Sequence, residues 1–433
     1  MKEVTMSTIN ETSFQENNMY FHLAPTDKFK TTTIVIKIKG TLDRDTVTKR
    51  ALLSYMLRQG TKKLPTVKEL QRQLADLYGA TLATHCSKRG DNHIIHVRLE
   101  VANEHFIPDG DKTIEQALHF IRDLLFAPYL ENGTFPQAIV EREKETLRTK
   151  QASTIDQKTT YANIRLMETM CKEERYRIRT YGYTDDLETI DADTLFAYYE
   201  TMLQKDRIDV YVVGHFVKDD MHSLLPKIFS RRVWHKEEST LDNITQRNEV
   251  QKVLETEQMQ QAKLHLGYRT NITYRDKQYA ALQIFNGLFG GFPSSKLFMT
   301  VREEHSLAYY INSQIESFKG LLIVYCGIDG KEADRVIDLI NDQFVALQRG
   351  EFSEAEVEEI KRLTISSIYE TCDDAEGIVE LLYGRVVANV SISLEQLLSN
   401  IESVTKEDIV EVAQAVELDT TYLLTNEGDA QHG

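Results

Sequence analysis

Apolar positions recur with two different periods along the first half of the chain, and the two periods predict helices and strands in turn. A β-branched run over residues 33–39 predicts a strand. Val67, Leu70 and Leu74 recur at three- and four-residue spacing, which predicts an amphipathic helix over residues 66–78. Further strands are predicted at 81–87, 92–101 and 208–214, and further helices at 43–60, 113–126, 135–157 (continuing towards 172) and 191–203.

The second half repeats this order of elements. Leu77-Tyr78-Gly79 matches Leu307-Ala308-Tyr309, and Phe135, before one long helix, matches Phe352 before another. A repeat of more than about 200 residues excludes a solenoid and indicates two homologous domains. In this half, strands are predicted at 262–268, 308–315, 321–328 and 422–425, and helices at 279–289, 295–304, 332–348, 353–371 and 406–415.

Strands paired as hairpins and helices grouped between them predict an α+β fold. The prediction is two homologous domains, each an antiparallel-rich mixed sheet packed with helices. The chain has 433 residues, enough for two domains of ordinary size. The N-terminal domain is predicted at 1–230, a polar linker at 231–250, and the C-terminal domain at 251–433.

Composition excludes several classes of function. The formal net charge of −16 argues against nucleic acid as the main partner, because phosphate backbones need a positive surface. No apolar run approaches the ~20 residues that span a bilayer, so no membrane association is expected. The N-terminus does not resemble a signal peptide, and the 4 cysteines form no CxxC pair. We therefore expect a soluble protein of the bacterial cytoplasm.

Other catalytic patterns are weak or missing in the sequence. His93 and His96 lie three residues apart on a predicted strand, so they should point to opposite faces and play structural roles. The chain contains no GxxxxGK[ST] phosphate loop and no GxSxG nucleophile elbow.

The segment SSKLFMTVREEHSLAYYINS at residues 294–313 carries the most specific family signal. With the preceding GGFPSS turn and the duplication, it resembles the pitrilysin/insulinase-like zinc peptidases. The resemblance extends from about Met19 to Asn426 and is closest to small bacterial and mitochondrial-processing-type members. The resemblance implies that the two domains of this chain form one half of a clam-shaped chamber, which a second chain completes. The chain is also similar to an inactive bacterial paralogue associated with 5-aminopentanol modification of elongation factor P, although nothing in its residues explains that modification.

Active members of this family carry HxxEH on the first long helix, commonly followed by an apolar residue and Gly-Thr. Gly60-Thr61 supplies that continuation here, but the ligand positions fall on Ala51, Ser54 and Tyr55. Two histidines four residues apart share one helix face, and the glutamate between them polarises a metal-bound water. Alanine has no donor atom, and a serine or a neutral tyrosine is a poor zinc ligand.

The third ligand in such enzymes is a glutamate on the long helix near the end of the first domain. Glu141 and Glu143 remain in this chain, but Arg148 and Lys150 occupy the places seven residues onward. A cation at that position would repel Zn²⁺. The resemblance therefore implies no metal, no other cofactor and no autonomous zinc hydrolysis.

Arg302 and Tyr309 match a pair that, in this family, hydrogen-bonds the substrate backbone and polarises the scissile carbonyl. A guanidinium offers a rigid fork of donors and a phenol adds one aimed donor. Alternatively, Arg302 pairs with neighbouring glutamates and Tyr309 belongs to a strand core, with Tyr310 as its competitor for the ligand-facing role. Substrate-binding positions are also expected at Gly290, Gly291 and Ser294, although the same turn could simply cap a helix.

Two functional interpretations remain open. The first is a non-catalytic, metal-free subunit of a heterodimeric processing-type peptidase, which binds extended peptide and supplies Arg302 and Tyr309 to the active site of an HxxEH-bearing partner. The second is a structural scaffold or peptide-binding protein with no role in proteolysis. A peptide-binding homodimer is a further alternative.

Overall fold

The computed structural model describes residues 9–107, 112–231, 234 and 249–429. Its strands form two mixed sheets, one in each half of the chain. In chain order, the strands of these residues are β1 (Thr12–Glu16), β2 (Met19–Pro25), β3 (Thr31–Thr41), β4 (Thr81–Arg89), β5 (Asn92–Ala102), β6 (Arg207–Gly214), β7 (Gln251–Thr256), β8 (Ala262–Arg269), β9 (Ala308–Glu316), β10 (Leu321–Ile328) and β11 (Glu417–Thr425).

Helices separate the strands in both halves. In chain order, the α-helices of the described ranges are α1 (Val47–Met56), α2 (Val67–Asp76), α3 (Thr113–Phe126), α4 (Gln137–Asp156), α5 (Lys158–Met170), α6 (Ala192–Lys205), α7 (Lys218–Ile228), α8 (Tyr279–Asn286), α9 (Ala333–Gln348), α10 (Glu354–Thr371), α11 (Ala375–Ala388), α12 (Leu394–Glu402) and α13 (Lys406–Ala415). Within the part of the chain that the structure describes, no helix combines the length and the apolar character needed to cross a lipid bilayer.

The first sheet has the strand order β1-β2-β6-β3-β5-β4. Strands β2 and β6 are parallel, whereas β6, β3, β5 and β4 are joined by antiparallel pairs. The second sheet has the order β7-β11-β8-β10-β9, again with one parallel pair at the start and antiparallel pairs after it. The two sheets therefore share five strands of the same order and direction, which confirms the predicted duplication and fold class.

Contacts divide the chain into two compact units that exchange segments. Unit 1 comprises 1–153, 178–241 and 372–382, and unit 2 comprises 154–177, 242–371 and 383–433. Helix α5 therefore packs on the second sheet, although it lies in the first half of the sequence. The predicted boundaries 1–230 and 251–433 did not include this exchange, and most of the predicted linker 231–250 lies outside the described residues. Those boundaries stay a prediction.

Local sequence explains where the helices begin. Thr66 precedes α2 and forms a capping box, because its hydroxyl accepts from the Glu69 backbone N–H at 3.2 Å while the Glu69 carboxylate accepts from the Thr66 N–H at 3.0 Å. Two otherwise unsatisfied backbone donors are paired in this way. Thr405 caps α13 with Asp408 by the same arrangement. Helix α1 then packs on β4 and β5, which brings its face onto the first sheet.

Several predicted elements differ in extent. The helix expected over 43–60 is confined to α1, and the long helix expected over 135–172 is two helices that meet at Gln157. The turn predicted to start at Gly290 begins later, because Gly287–Gly291 continues α8 as π-helix. Elements that the sequence interpretation did not include are β1, β2, β7, α7, α11 and α12.

His265 on β8 is a buried imidazole in the core of unit 2. It packs edge-on against Tyr325, with ring centroids 5.0 Å apart. Neither ring nitrogen has a hydrogen-bond partner among the residues that the structure describes. Burial, and after it the charge of Lys263, lowers the pKa of His265 to about 3. The folded chain therefore keeps this imidazole neutral.

His265→Phe should reduce the loss of unfolding free energy that the wild-type chain shows as the pH falls below about 6.5. Below about pH 6.5 the unfolded chain binds a proton that the folded chain excludes, so the free energy of unfolding falls as the pH drops towards 3. Removing the imidazole should recover on the order of 1–2 kcal/mol at pH 5 and much less at pH 8. Urea unfolding at both pH values measures this. An equal difference between variant and wild type at pH 5 and pH 8 would contradict the assignment.

Candidate functional site

The face of α1 at the expected metal position carries no zinc ligand of the HxxEH type. Ala51 is completely buried, and Ser54 is nearly so. The Ser54 hydroxyl donates to the Ala51 carbonyl at 2.7 Å, so it is used within its own helix. Alanine has no atom that can bind a metal ion, and a neutral serine hydroxyl engaged within its own helix is a poor zinc ligand.

Tyr55 occupies the position of the second histidine and is partly buried against the core of unit 1. The Arg58 guanidinium lies 5.3 Å from the centre of its ring. Burial, and after it the nearby Cys86, raises the pKa of Tyr55. The phenol therefore stays protonated near neutral pH, and it acts as a hydrogen-bond donor rather than as a metal-binding phenolate.

Cys86 on β4 is a member of the site that sequence reasoning missed. Its thiol is buried and lies 3.6 Å from the Thr180 carbonyl oxygen. Burial raises the pKa of Cys86 to about 12, although Arg50 and Lys150 act in the opposite direction. Only a thiolate binds zinc well, so a thiol held protonated does not replace the absent histidines.

Helix α4 places a lysine where the third ligand is expected. The Lys150 ammonium lies 5.0 Å from the ring centre of Tyr181. The next residue, Gln151, donates to the Tyr181 carbonyl at 2.8 Å and so fixes this loop beside α4. Burial, then Cys86 and Tyr55, raise the pKa of Tyr181 to about 12. A cation therefore lies beside a second phenol, and this phenol is close enough to Tyr55 to interact with it electrostatically.

Glu143 is the carboxylate that remains near the position. It is almost fully buried, and Arg142 donates to it at 2.9 Å. Arg142 also donates to the Gln59 side chain at 2.5 Å, and Gln59 in turn donates to the Tyr55 carbonyl at 3.2 Å. The carboxylate is therefore already neutralised by an arginine that is tied to the end of α1.

These residues do not fit a zinc ion. A catalytic zinc site needs three protein ligands drawn from imidazole, carboxylate and thiolate groups. Within the described ranges, no group of three or more His, Cys, Asp or Glu side chains is arranged to hold a metal. His93 and His96 do not supply one either, because His93 donates to the Thr180 carbonyl at 2.8 Å while His96 faces Lys37 at 2.6 Å on the opposite side of the sheet.

In unit 2, Arg302 lies on a π-helical stretch, Phe298–Glu304, just before β9. Its guanidinium carbon is 4.7 Å from the ring centre of Phe298, and its Nε is 3.8 Å from the Glu303 carboxylate. The side chain is 42% exposed. The alternative pairing with Glu303 is thus present, but the long contact and the exposure leave donors of the guanidinium open to solvent.

Tyr309 and Tyr310 are separated by the alternation of β9. Tyr309 is 69% exposed, the highest value among the large hydrophobic side chains of the described chain. Tyr310 is partly buried, with its hydroxyl 3.2 Å from that of Thr159 on α5. Successive strand residues point to opposite faces, so Tyr309 faces away from α5. Tyr309 therefore fits a ligand-facing role better than Tyr310 does.

The glycine-rich segment is packed rather than open at its centre. Gly290 is buried, and a Cβ there would lie 2.9 Å from the Ser313 backbone nitrogen of β9. Gly291 and Ser294 are exposed. The expected turn is thus shorter than predicted, and Gly290 contributes close packing on β9 instead of a mobile loop.

Comparison with known proteins decides the family. The chain is 41% identical over 424 residues to the probable inactive metalloprotease YmfF of Bacillus subtilis (strain 168). The aligned region covers 97% of this chain and 98% of that protein. Residues 189–364 also match the family described as the peptidase M16 inactive domain. The chain belongs to the M16 peptidase family. The resemblance to pitrilysin-like peptidases is thereby confirmed.

Solved structures share the fold over nearly the whole chain. A conserved protein from Enterococcus faecalis V583 superposes with a TM-score of 0.88 at 33% identity, covering 96% of this chain and 99% of that chain. A peptidase M16 inactive domain from Pseudomonas fluorescens gives a TM-score of 0.79 at 16% identity, covering 96% and 98%, which supports the fold alone. The connection to elongation factor P modification stays a prediction.

Proposed function

We propose that this M16 chain is a metal-free, non-catalytic subunit that binds extended peptide and works with a separate M16 chain that retains HxxEH. The observation that carries the proposal is the contrast between the two units. Unit 1 has buried alanine and serine, a protonated tyrosine and a lysine at the ligand positions, whereas unit 2 exposes Arg302 and Tyr309.

The exposed pair suits the backbone of a peptide. A guanidinium and a phenol both donate, and the groups of an extended peptide that accept are its regularly spaced carbonyl oxygens. Strand β9 lies at the end of its sheet order, so it is an edge strand of that sheet. An extended peptide can add to such an edge by main-chain hydrogen bonds, which gives broad tolerance of sequence. Gly291 and Ser294 are proposed as further contacts of the same peptide.

In this proposal the partner chain supplies the metal and the general base, and this chain supplies two donors. Arg302 would stabilise the negative charge that develops on the carbonyl oxygen of the scissile bond. Tyr309 would hold the same region of the backbone in register. Donors that act on developing charge in a site shielded from water commonly change kcat by about 10²–10³-fold.

Arg302→Ala should lower the peptidase activity of the mixture of this chain with an HxxEH-bearing M16 partner. We expect kcat/KM to fall by about 100- to 1000-fold for Arg302→Ala, and by about 3- to 10-fold for Tyr309→Phe, because the phenol adds a single neutral donor that positions the backbone. Hydrolysis of a fluorogenic peptide by this chain, by the partner and by the mixture measures the effect. Arg349→Ala, an exposed arginine elsewhere on unit 2, and Tyr310→Phe are the matched controls.

Two outcomes would reject the proposal. One is a mixture no more active than the partner by itself. The other is a mixture whose activity is unchanged by Arg302→Ala. A chain that co-purifies with the partner but never changes its activity would favour the scaffold function, and a chain that binds peptide only as a homodimer would favour the alternative without proteolysis.

We also place this function in the cytoplasm. Among the residues that the structure describes, the cysteines at positions 86, 171, 326 and 372 are buried and form no disulfide. Reduced cysteines are typical of proteins kept in a reducing compartment.

A further inference from the structure

Three side chains at and beside the expected metal position share one chemical property, because each of them can donate hydrogen bonds. Tyr55 and Tyr181 present phenols, and Lys150 presents an ammonium 5.0 Å from the Tyr181 ring centre. The phenol pKa values are raised, so both hydroxyls keep their protons at neutral pH. All three side chains are partly exposed, and all three belong to unit 1. A ligand that suits them must accept hydrogen bonds.

The charge around this cluster is opposite to that of the whole chain. Arg58 lies over the Tyr55 ring, and Arg142 is tied to the end of α1 through Gln59. Lys150 adds a cation beside Tyr181, and the nearby carboxylate of Glu143 is already paired with Arg142. The formal charge of the whole chain is −16, so a basic site here is a local exception. Such a site attracts anions although the protein as a whole repels them.

We propose that the cluster of Tyr55, Lys150 and Tyr181 binds the carboxylate of a peptide, in the first instance its C-terminal carboxylate, at the position where active M16 enzymes hold zinc. The inference rests on the proposed function, since it takes the ligand to be a peptide. A carboxylate has two oxygens and about four acceptor sites, which matches two phenols and one ammonium. Hydrogen bonds from charged donors to carboxylates are about twice as strong as neutral ones.

Hydrogen bonds hold together the elements that carry these three donors. Lys150 and Gln151 are neighbours on α4, and Gln151 holds the Tyr181 backbone at 2.8 Å. Tyr55 comes from α1, whose end is linked to α4 through Gln59 and Arg142. Two helices and one loop are thus fixed to each other by hydrogen bonds at this position. A site held in this way loses little conformational freedom when an anion binds.

Three versions of one fluorescent peptide, each labelled at its N-terminus, test the inference against the full chain by anisotropy titration. The first has a free C-terminal acid, the second a C-terminal amide, and the third an amide preceded by glutamate. The variants are Lys150→Gln and Tyr181→Phe. Arg148→Gln is the matched control, because Arg148 lies on the same helix and is already paired with Glu188 at 2.7 Å. Thermal unfolding verifies that each variant is folded.

We expect the free acid to bind at least about 10-fold more tightly than the amide, which is about the worth of one charged hydrogen bond. Lys150→Gln should abolish this preference, Tyr181→Phe should reduce it, and Arg148→Gln should keep it. Rescue of affinity by the glutamate-amide peptide would show that side-chain carboxylates are also accepted, and its failure would assign the site to chain termini.

Equal affinities of acid and amide for the wild-type chain, or a preference that survives Lys150→Gln, would overturn the inference. In that case, binding of both peptides that is weakened by Arg302→Ala leaves the proposed function intact. If none of the three peptides binds the folded wild-type chain, both the inference and peptide binding by this chain are wrong.

Discussion

Replacing Arg50 by methionine should lower the free energy of unfolding by about 3–5 kcal/mol, the range found when one partner of a buried ion pair is removed. Arg50 immediately precedes Ala51 on α1, and its side chain is buried. It pairs with Asp206 and donates through Nε to His93 Nδ1 at 3.0 Å. Its remaining donors reach the carbonyl oxygens of Ile38 and His93 at 3.1 and 3.0 Å.

The substitution would leave these acceptors without their donor. His93 already donates from Nε2 to Thr180, and burial lowers the pKa of His93 to about 3, so it does not protonate to compensate. Chemical denaturation gives the stability difference. Arg44→Met is the matched control, because Arg44 pairs with Asp186 at the surface and should contribute about 1 kcal/mol or less. A loss of under about 1 kcal/mol for Arg50→Met would contradict the claim that the buried contacts of Arg50 stabilise the fold around α1.

Rebuilding the ligand set should create a zinc site in unit 1. The fourfold variant Ala51→His, Ser54→Glu, Tyr55→His and Lys150→Glu should bind zinc stoichiometrically, with a Kd at least about 1000-fold below that of the unaltered chain. The i, i+4 spacing on α1 places both imidazoles on one face. Ala51 is completely buried, so its enlargement should cost about 1–3 kcal/mol of stability. Isothermal titration with a competing chelator measures the affinity.

Two further variants separate the zinc ligands from the residue that polarises the metal-bound water. The same variant with Ser54→Gln in place of Ser54→Glu should bind zinc equally well, because this residue polarises water and is not a ligand. The variant that keeps Lys150 should bind at least about 100-fold more weakly, since it loses a ligand and retains a cation. Equal zinc affinity with and without Lys150→Glu would show that α4 does not supply the third ligand.

The sequence predicted most elements whose hydrophobic period is regular. Helix α3 has the bounds expected from its pattern, and β5 was predicted from its alternation, whereas its antiparallel pairing with β4 comes from the structure. Helix α11 was missed because the apolar residues of AEGIVELLYGRVVA are spread around the helix and the segment contains two glycines, so no single face stands out. Strand β7 is a short edge strand with mostly exposed residues, which gives little pattern to detect. The π-helical continuation after α8 follows a period that a 3.6-residue analysis does not contain.

At the site, the sequence located positions but not their surroundings. Ala51, Ser54, Tyr55 and Lys150 were recognisable because the family motif has fixed spacing within α1 and α4. Cys86 and Tyr181 come from a strand and a loop that the fold alone brings beside them, so spacing carried no signal for either. The preference for Tyr309 over Tyr310 likewise needed the strand's orientation, which the exposure of Tyr309 and the contact of Tyr310 with Thr159 reveal.

The proposed function requires this chain to hold peptide without using a metal. Anisotropy titration of a labelled extended peptide with the unaltered full chain, once with excess zinc and once with a chelator, tests this requirement. We expect the same Kd in both conditions, an intact peptide after incubation, and a Kd at least about 10-fold higher for Arg302→Ala. Binding that requires zinc, or cleavage of the peptide by this chain alone, would show that the chain is not a metal-free peptide-binding subunit.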